Sequence, residues 1–246
     1  MKKYQLVLDF QEKKRLNAMA RQLQGFLMEH LEASYVQDLH QRAVNPYSMS
    51  LYPSDGVLIW EVNLLDESAI HYIEPFIETV AQIELHGMEE VISVIDRPVS
   101  VLDQKALAQA FYHEEAETYH RLCFLSPTSF KQAGSYINYP DLRLLLQSLM
   151  MKINFFETGE FEGHEELLND LVNALTIERY SLRSSTFSIH QYRIPSFKGC
   201  LVLKVRGSDT LKNYLRYLLM IGEYTGVGVK TSMGMGALAY LREVKE

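Results

Sequence analysis

The apolar residues of the first hundred positions change their spacing in a set order, and that order narrows the possible folds more than any other feature of the chain. Residues 3–10 alternate loosely, as a half-buried strand does. From 11 to 32 the spacing becomes helical: Leu16, Met19, Ala20, Leu23, Phe26, Leu27 and Leu31 form one stripe. Pro46 precedes YSMSLY, Asp55-Gly56 marks a turn, and 57–64 (VLIWEVNL) reads as the hairpin partner of 47–52. Residues 67–82 read as a second helix and 83–99 as a last strand. The order β-α-β-β-α-β is the ferredoxin-like unit.

The second half repeats the theme. Residues 118–126 read as a strand, and 140–156 carry Leu142, Leu145, Leu146, Leu149, Met150 and Ile153 at helical spacing. The helical region extends through 164–176. Two long strand-like runs occupy 180–206, separated by IPSFKG, which reads as a hairpin. Leu211, Tyr214, Leu215, Leu218 and Leu219 line a helix over 209–221, and 237–243 closes the sheet. The reading is an α+β protein of two tandem ferredoxin-like (RRM-like) domains, 1–105 and 118–246. The stretch 100–117 joins them.

A chain of 246 residues with 47% hydrophobic and 22% charged residues can bury a core without staples. Cys123 and Cys200 suggest no disulfide framework and are expected as free thiols in a reducing, cytoplasmic setting. No apolar run approaches the roughly 18–20 residues that span a bilayer, so no membrane is expected. The net charge of −7 argues against nucleic acid, but the charge is unevenly spread. Residues 51–120 carry 14 acidic and 2 basic residues, a net of −12. Residues 190–246 carry 9 basic and 4 acidic, a net of +5. Phosphate is read by a local patch, so the basic C-terminal stretch is the one that faces a polyanion. The acidic stretch is expected away from it.

The densest motif is Gly226-Val-Gly-Val-Lys-Thr-Ser-Met-Gly-Met-Gly236. Gly226, Gly228, Gly234 and Gly236, with Lys230, Thr231 and Ser232, make a loop suited to anions. It is not a Walker A loop. Val229 precedes Lys230 where that motif needs glycine, and the segment follows a helix rather than a strand. Read alone, its rival is a plain glycine-rich turn between a helix and an edge strand, the less favoured of the two readings.

The segment GVGVKTSMGMGAL before a final strand resembles the C-terminal glycine-rich motif of the RAMP superfamily of CRISPR-associated RNA-binding proteins. More narrowly, the chain resembles the CRISPR repeat-processing endoribonucleases. Leu39-His40 with Asn45-Pro46-Tyr47-Ser48, then Leu125-Ser126-Pro127-Thr128-Ser129-Phe130-Lys131 with Leu142-Arg143, then Ile194-Pro195-Ser196-Phe197-Lys198-Gly199, occur in the family's order. The resemblance implies a tandem ferredoxin-like fold, precursor CRISPR RNA as substrate and metal-independent cleavage with no cofactor. Association with an effector complex and homodimerisation stay open. So does a non-catalytic role as an RNA-binding subunit of such a complex, or a small-molecule-binding protein of the same fold.

Metal-free RNA cleavage uses the 2′-hydroxyl as nucleophile, with a base, an acid and positive charge on the transition state. Histidine suits either proton role. Of eight histidines, the resemblance selects His40, which otherwise reads as a surface histidine at a helix end. Arg42 would share its side if the chain there is extended, and arginine suits a phosphate oxygen. Tyr35 and Tyr47 are candidates to assist, but Tyr35 does so only if the helix ends between it and His40, since five helical residues separate them by about 140°. Some relatives carry a lysine after the histidine, whereas here no lysine lies between His40 and Ser54. His113-Glu114-Glu115 with His120 lacks metal-site spacing and reads as an acidic linker. Lys131, Arg143, Lys198, Lys204 and Lys230, with Thr231 and Ser232, are the expected RNA contacts. Phe197, in the expected hairpin, is a candidate to stack on a base, while Trp60 and Tyr214 read as core.

Overall fold

The computed structural model describes residues 1–10, 16–159, 164–189 and 192–242. The start of the first expected helix (11–15), His190 and Lys245 lie outside them. Among the described residues no helix is long and apolar enough to cross a membrane.

The N-terminal half runs β1 (Lys2–Asp9), α1 (Leu16–Glu29), α2 (Ala33–Gln41), β2 (Tyr47–Ser54), β3 (Val57–Leu64), α3 (Glu67–Thr79), β4 (Gln82–Ile83), β5 (Ile92–Asp96) and β6 (Val99–Val101). Its antiparallel sheet has the order β2-β3-β1-β5-β4, with β6 also pairing β1. The Asp55-Gly56 turn takes φ of 47° and 87°, the left-handed pair that a tight hairpin needs. Asp66 caps α3 by accepting from the Ala69 amide. The expected stripe of α1 is the buried one: Met19, Ala20, Leu23, Phe26 and Leu27. They pack on Leu6, Leu8, Met49, Trp60 and Val62 in the first core.

Then come α4 (Gln104–Tyr112), β7 (Tyr119–Thr128), β8 (Phe130–Gln132), β9 (Ser135–Ile137), α5 (Leu142–Thr158), α6 (Glu165–Ala174), β10 (Leu175–Ile189), β11 (Tyr192–Val205), α7 (Asp209–Thr225) and β12 (Leu238–Arg242). A short 3-10 turn, Thr231–Met233, lies inside the glycine-rich segment. The second sheet has the order β10-β11-β7-β12. In both sheets the chain's first strand sits between its third and its last, the ferredoxin-like arrangement. α5 and α7 cover one face of the second sheet, closing a core on Leu122, Phe124, Leu201, Leu203 and Leu238.

Three expectations change. IPSFKG is not a turn: Ile194–Gly199 lies within β11, and the ribbon reverses between Ile189 and Tyr192. Pro195 is tolerated because β11 has no partner on its β7 side there; that ladder starts at Phe197. Phe197 is therefore 2% exposed, packed on Phe124, and cannot stack on a base. The free thiols are also overturned. Cys123 and Cys200 stand directly opposite in the β7–β11 ladder, with Cα atoms 4.1 Å apart, and form a disulfide. Lastly, the 100–117 connection is not a loose linker. Its α4 packs on α7, and buried Arg216 donates to the carbonyls of Ala110 (2.6 Å) and Glu115 (2.9 Å).

The two halves are joined by more than the connection. Phe187, Ile194 and Met235 from the C-terminal half belong to the N-terminal core. Ser48 Oγ donates to the carbonyl of Tyr224 at 2.6 Å.

Candidate active site

His40 is the penultimate residue of α2 and is exposed. The helix stops at Gln41 because Arg42 turns extended (φ −71°, ψ 137°), and the chain then runs through Asn45 into β2. That bend sets His40 and Arg42 on one wall of a cleft of about 880 Å3 between the two halves. The facing walls are the glycine-rich segment, the middle of α5 and the start of β8.

A hydrogen bond ties the two sides together. Asn45 Nδ2 donates to Ser232 Oγ at 2.9 Å, so the segment after the histidine is fastened to the glycine-rich segment. Asn45 Oδ1 is buried and has no hydrogen-bond partner among the described residues. Glycine is needed where this loop meets β8. A Cβ on Gly228, at φ 77°, would lie 2.3 Å from the Ser129 carbonyl. The same approach lets the Val229 amide donate to that carbonyl at 3.0 Å, while the Gly228 amide donates to Ser148 Oγ at 2.8 Å. At Gly236 a Cβ would meet the Val227 carbonyl at 2.1 Å. Several loop amides are thus spent on the protein itself. The glycines shape and dock the loop, and the side chains of Lys230, Thr231 and Ser232 are what it presents to the cleft.

The electrostatics of the cleft are one-sided. His40, Arg42, Lys131, Lys152 and Lys230 line it, and among the described residues no carboxylate does. Arg42 is already engaged: its Nε pairs with Asp38 at 2.7 Å and its Nη1 with Asp66 at 3.5 Å. Lys152, which the sequence did not single out, sits on α5. Its ammonium donates to the carbonyls of Thr225 (3.3 Å) and Gly226 (3.1 Å) and to Thr231 Oγ1 (3.3 Å). Burial pushes it down to about 7. In the sequence it is one polar position in a leucine-rich helix, and only the fold shows what it faces.

The remaining expected site residues divide. Tyr35 is not brought to His40. α2 is continuous through both, so Tyr35 points inward, 4% exposed and stacked on Tyr72 with ring centroids 4.2 Å apart. Tyr47 is buried and does not line the cleft; burial pushes its hydroxyl up to about 12, while hydrogen bonds to Gln24 and Ser232, which do line it, act the other way. Arg143 lies at the start of α5 and is held by Asn169 and Glu165 of α6. Lys198 and Lys204 lie on β11, away from the cleft.

Comparison with known proteins agrees on one family. The sequence model of the CRISPR-associated endoribonuclease Cas6 matches residues 122–238. The chain is 38% identical over 220 residues to the Cas6 of Streptococcus thermophilus, covering 89% of this chain and 90% of that one. It is 35% identical over 230 residues to the Cas6 of Mycobacterium tuberculosis, covering 92% and 73%. Its fold is similar to that of a solved Cas6 product complex, with a TM-score of 0.77 at 22% identity, over 98% of this chain and 100% of that one.

Proposed function

The chain belongs to the Cas6 family of CRISPR-associated endoribonucleases, and on that footing we propose that it cuts precursor CRISPR RNA within the repeats without a metal, using His40. It is an endoribonuclease. The observation that carries the finer reading is the cleft itself: a histidine and four basic side chains converge, with no carboxylate among the described lining residues and only Arg42 held by carboxylates behind it. A phosphodiester seated there would be drawn in by charge and held beside a group that can move a proton.

In this mechanism the ribose 2′-oxygen attacks the adjacent phosphorus and the bond to the 5′-oxygen breaks. The products are a 2′,3′-cyclic phosphate and a 5′-hydroxyl. His40 transfers a proton, either from the 2′-hydroxyl or to the leaving oxygen. Lys230 and Lys152 supply positive charge to the crowded, doubly negative phosphorus centre. Lys152 thereby fills the place of the lysine that this sequence lacks after His40. Arg42, already tied to two carboxylates, orients the end of α2 and adds charge at the rim. The unpaired Asn45 Oδ1 is an acceptor that a ribose hydroxyl can satisfy.

The test is cleavage of a repeat-containing RNA in EDTA by wild type and by His40→Ala, with a deoxy substitution at the cut site as control. The expected outcome is cleavage by wild type only, lost in the deoxy substrate, with repeat binding by His40→Ala within about threefold of wild type. Undiminished cleavage by His40→Ala would sink the assignment.

A further inference from the structure

The Cys123–Cys200 disulfide lies on the face of the C-terminal sheet turned away from α5 and α7. Leu122, Phe124, Leu201 and Leu203 alternate with the cysteines along β7 and β11 and belong to the core, so the two sulfurs share the other face. Cys123 is 8% exposed and Cys200 is half-buried. Two residues along each strand, on the same face, stand Arg121 and Lys198. Lys198 is directly opposite Arg183 in the β10–β11 ladder. Among the described residues, Arg121, Arg183 and Lys198 have no carboxylate within ion-pair distance.

The charge around the sulfurs decides which redox form is favoured. Like charges directly opposite in a ladder repel. Burial first, and the Arg183 guanidinium second, press the Lys198 ammonium below its ordinary range. A disulfide is neutral and relieves none of this. A cysteine thiolate supplies the anion these cations lack, and cations beside a cysteine favour its thiolate. A disulfide whose reduced form is stabilised is readily opened by other thiols. A disulfide that only braces a fold gains nothing from such surroundings.

The place of the disulfide along β7 gives its opening a consequence. Just beyond it the β7–β11 ladder lapses. Phe124 pairs with Gly199, but the next pair is Thr128 with Phe197, so residues 125–127 have no register partner on β11. They turn to the glycine-rich segment and the start of β12 instead. The Gly236 amide donates to the Pro127 carbonyl at 3.0 Å, and the Ala237 amide to Ser126 Oγ at 2.9 Å. The Val229 amide donates to the Ser129 carbonyl at 3.0 Å. The disulfide is thus the covalent tie that fixes β7 immediately before the stretch on which the glycine-rich segment docks.

We infer that Cys123–Cys200 is a redox-active site, opened by small cellular thiols, and that its opening loosens the docking of the glycine-rich segment. A reductant thiolate attacks Cys200 Sγ, on the less buried of the two cysteines. The S–S bond breaks and Cys123 leaves as a thiolate. A second reductant thiol then displaces Cys200 from the mixed disulfide. The cysteines gain two electrons and the two protons of the reductant thiols, which become one disulfide. None of this depends on what the cleft binds.

The experiment uses the full chain, folded and without RNA, in mixtures of reduced and oxidised glutathione. The fraction reduced is read by alkylation and mass. Wild type should open and reclose reversibly. Arg121→Gln/Lys198→Gln should need a reduced-squared to oxidised glutathione ratio about tenfold higher for half reduction, and Arg121→Lys/Lys198→Arg should restore the wild-type midpoint. Amide exchange at Val229 and Gly236 should quicken about tenfold in the reduced protein and in Cys123→Ala/Cys200→Ala. Amides of the β1–β3 ladder should keep their protection, which is the folding control. A disulfide that stays closed in millimolar reduced glutathione until the protein unfolds is a brace, and overturns the inference. Thiols that stay open in excess oxidised glutathione overturn it as well. A midpoint unmoved by the Gln variant removes its electrostatic ground, and exchange unmoved by reduction removes the link to the glycine-rich segment; either result also overturns it.

Discussion

Lys152 donates three hydrogen bonds to neutral oxygens and has no carboxylate among those partners, which is why burial lowers it to about 7. An unfolded lysine titrates near 10.4. Between pH 7 and that value the unfolded chain holds a proton that the folded one has released, so this group makes stability rise with pH in that window. A phosphate in the cleft reverses the preference. RNA binding above pH 7 should then take up a proton, and affinity should weaken as pH rises. Calorimetry in buffers of different ionisation enthalpy should detect the uptake in wild type and not in Lys152→Met. Gly228 carries a different load. Gly228→Ala places a Cβ against the Ser129 carbonyl at positive φ, and should cost about 1–3 kcal/mol by denaturant titration. Arg183→Thr should do the opposite, raising stability by roughly 0.2–1 kcal/mol, because it removes a like-charge neighbour of Lys198 and suits a strand.

Among the elements, α2 decides which side chains reach the cleft, and its length was not legible. Residues 33–41 carry only Tyr35 and Leu39 as buried residues, too few to stand out as a stripe. The continuous helix parts Tyr35 from His40. Tyr35→Phe should therefore leave the cleavage rate within about twofold, since among the described residues the hydroxyl reaches only Ser68 Oγ, at 3.5 Å. A rate loss as large as that of His40→Ala would place Tyr35 in the chemistry. The long elements with a strong period, α1, α5 and α7, were legible because each buries one unbroken stripe. The β10–β11 ribbon misled because a proline and a glycine inside a strand look like a turn. Pro195 lies where β11 has no β7 partner and Gly199 at a register shift, both properties of pairing.

For the molecule as a whole, the charge asymmetry is real but its parts do different work. Arg216 belongs to the basic C-terminal stretch yet is 1% exposed and fastens the connection to α7. Arg216→Ala should cost about 3 kcal/mol by denaturant titration, since it takes the donor from the buried Ala110 and Glu115 carbonyls and removes an ion pair with Glu114. Of the other described cations of that stretch, Lys230 lines the cleft, while Lys198 and Lys204 lie on β11, away from it. None of the acids of 51–120 lines the cleft. Local periodicity and glycine spacing were enough to read the β-α-β-β-α-β order and the loop beside a final strand, because these depend on neighbours a few residues apart, whereas His40 was selected by the family resemblance and not by any spacing. Only the tertiary structure brought Lys152 to the cleft, paired the two cysteines 77 residues apart, and set the basic residues of the cleft apart from those of β11. Those are contacts between distant segments, and no short-range pattern encodes which side of a sheet a distant strand will present.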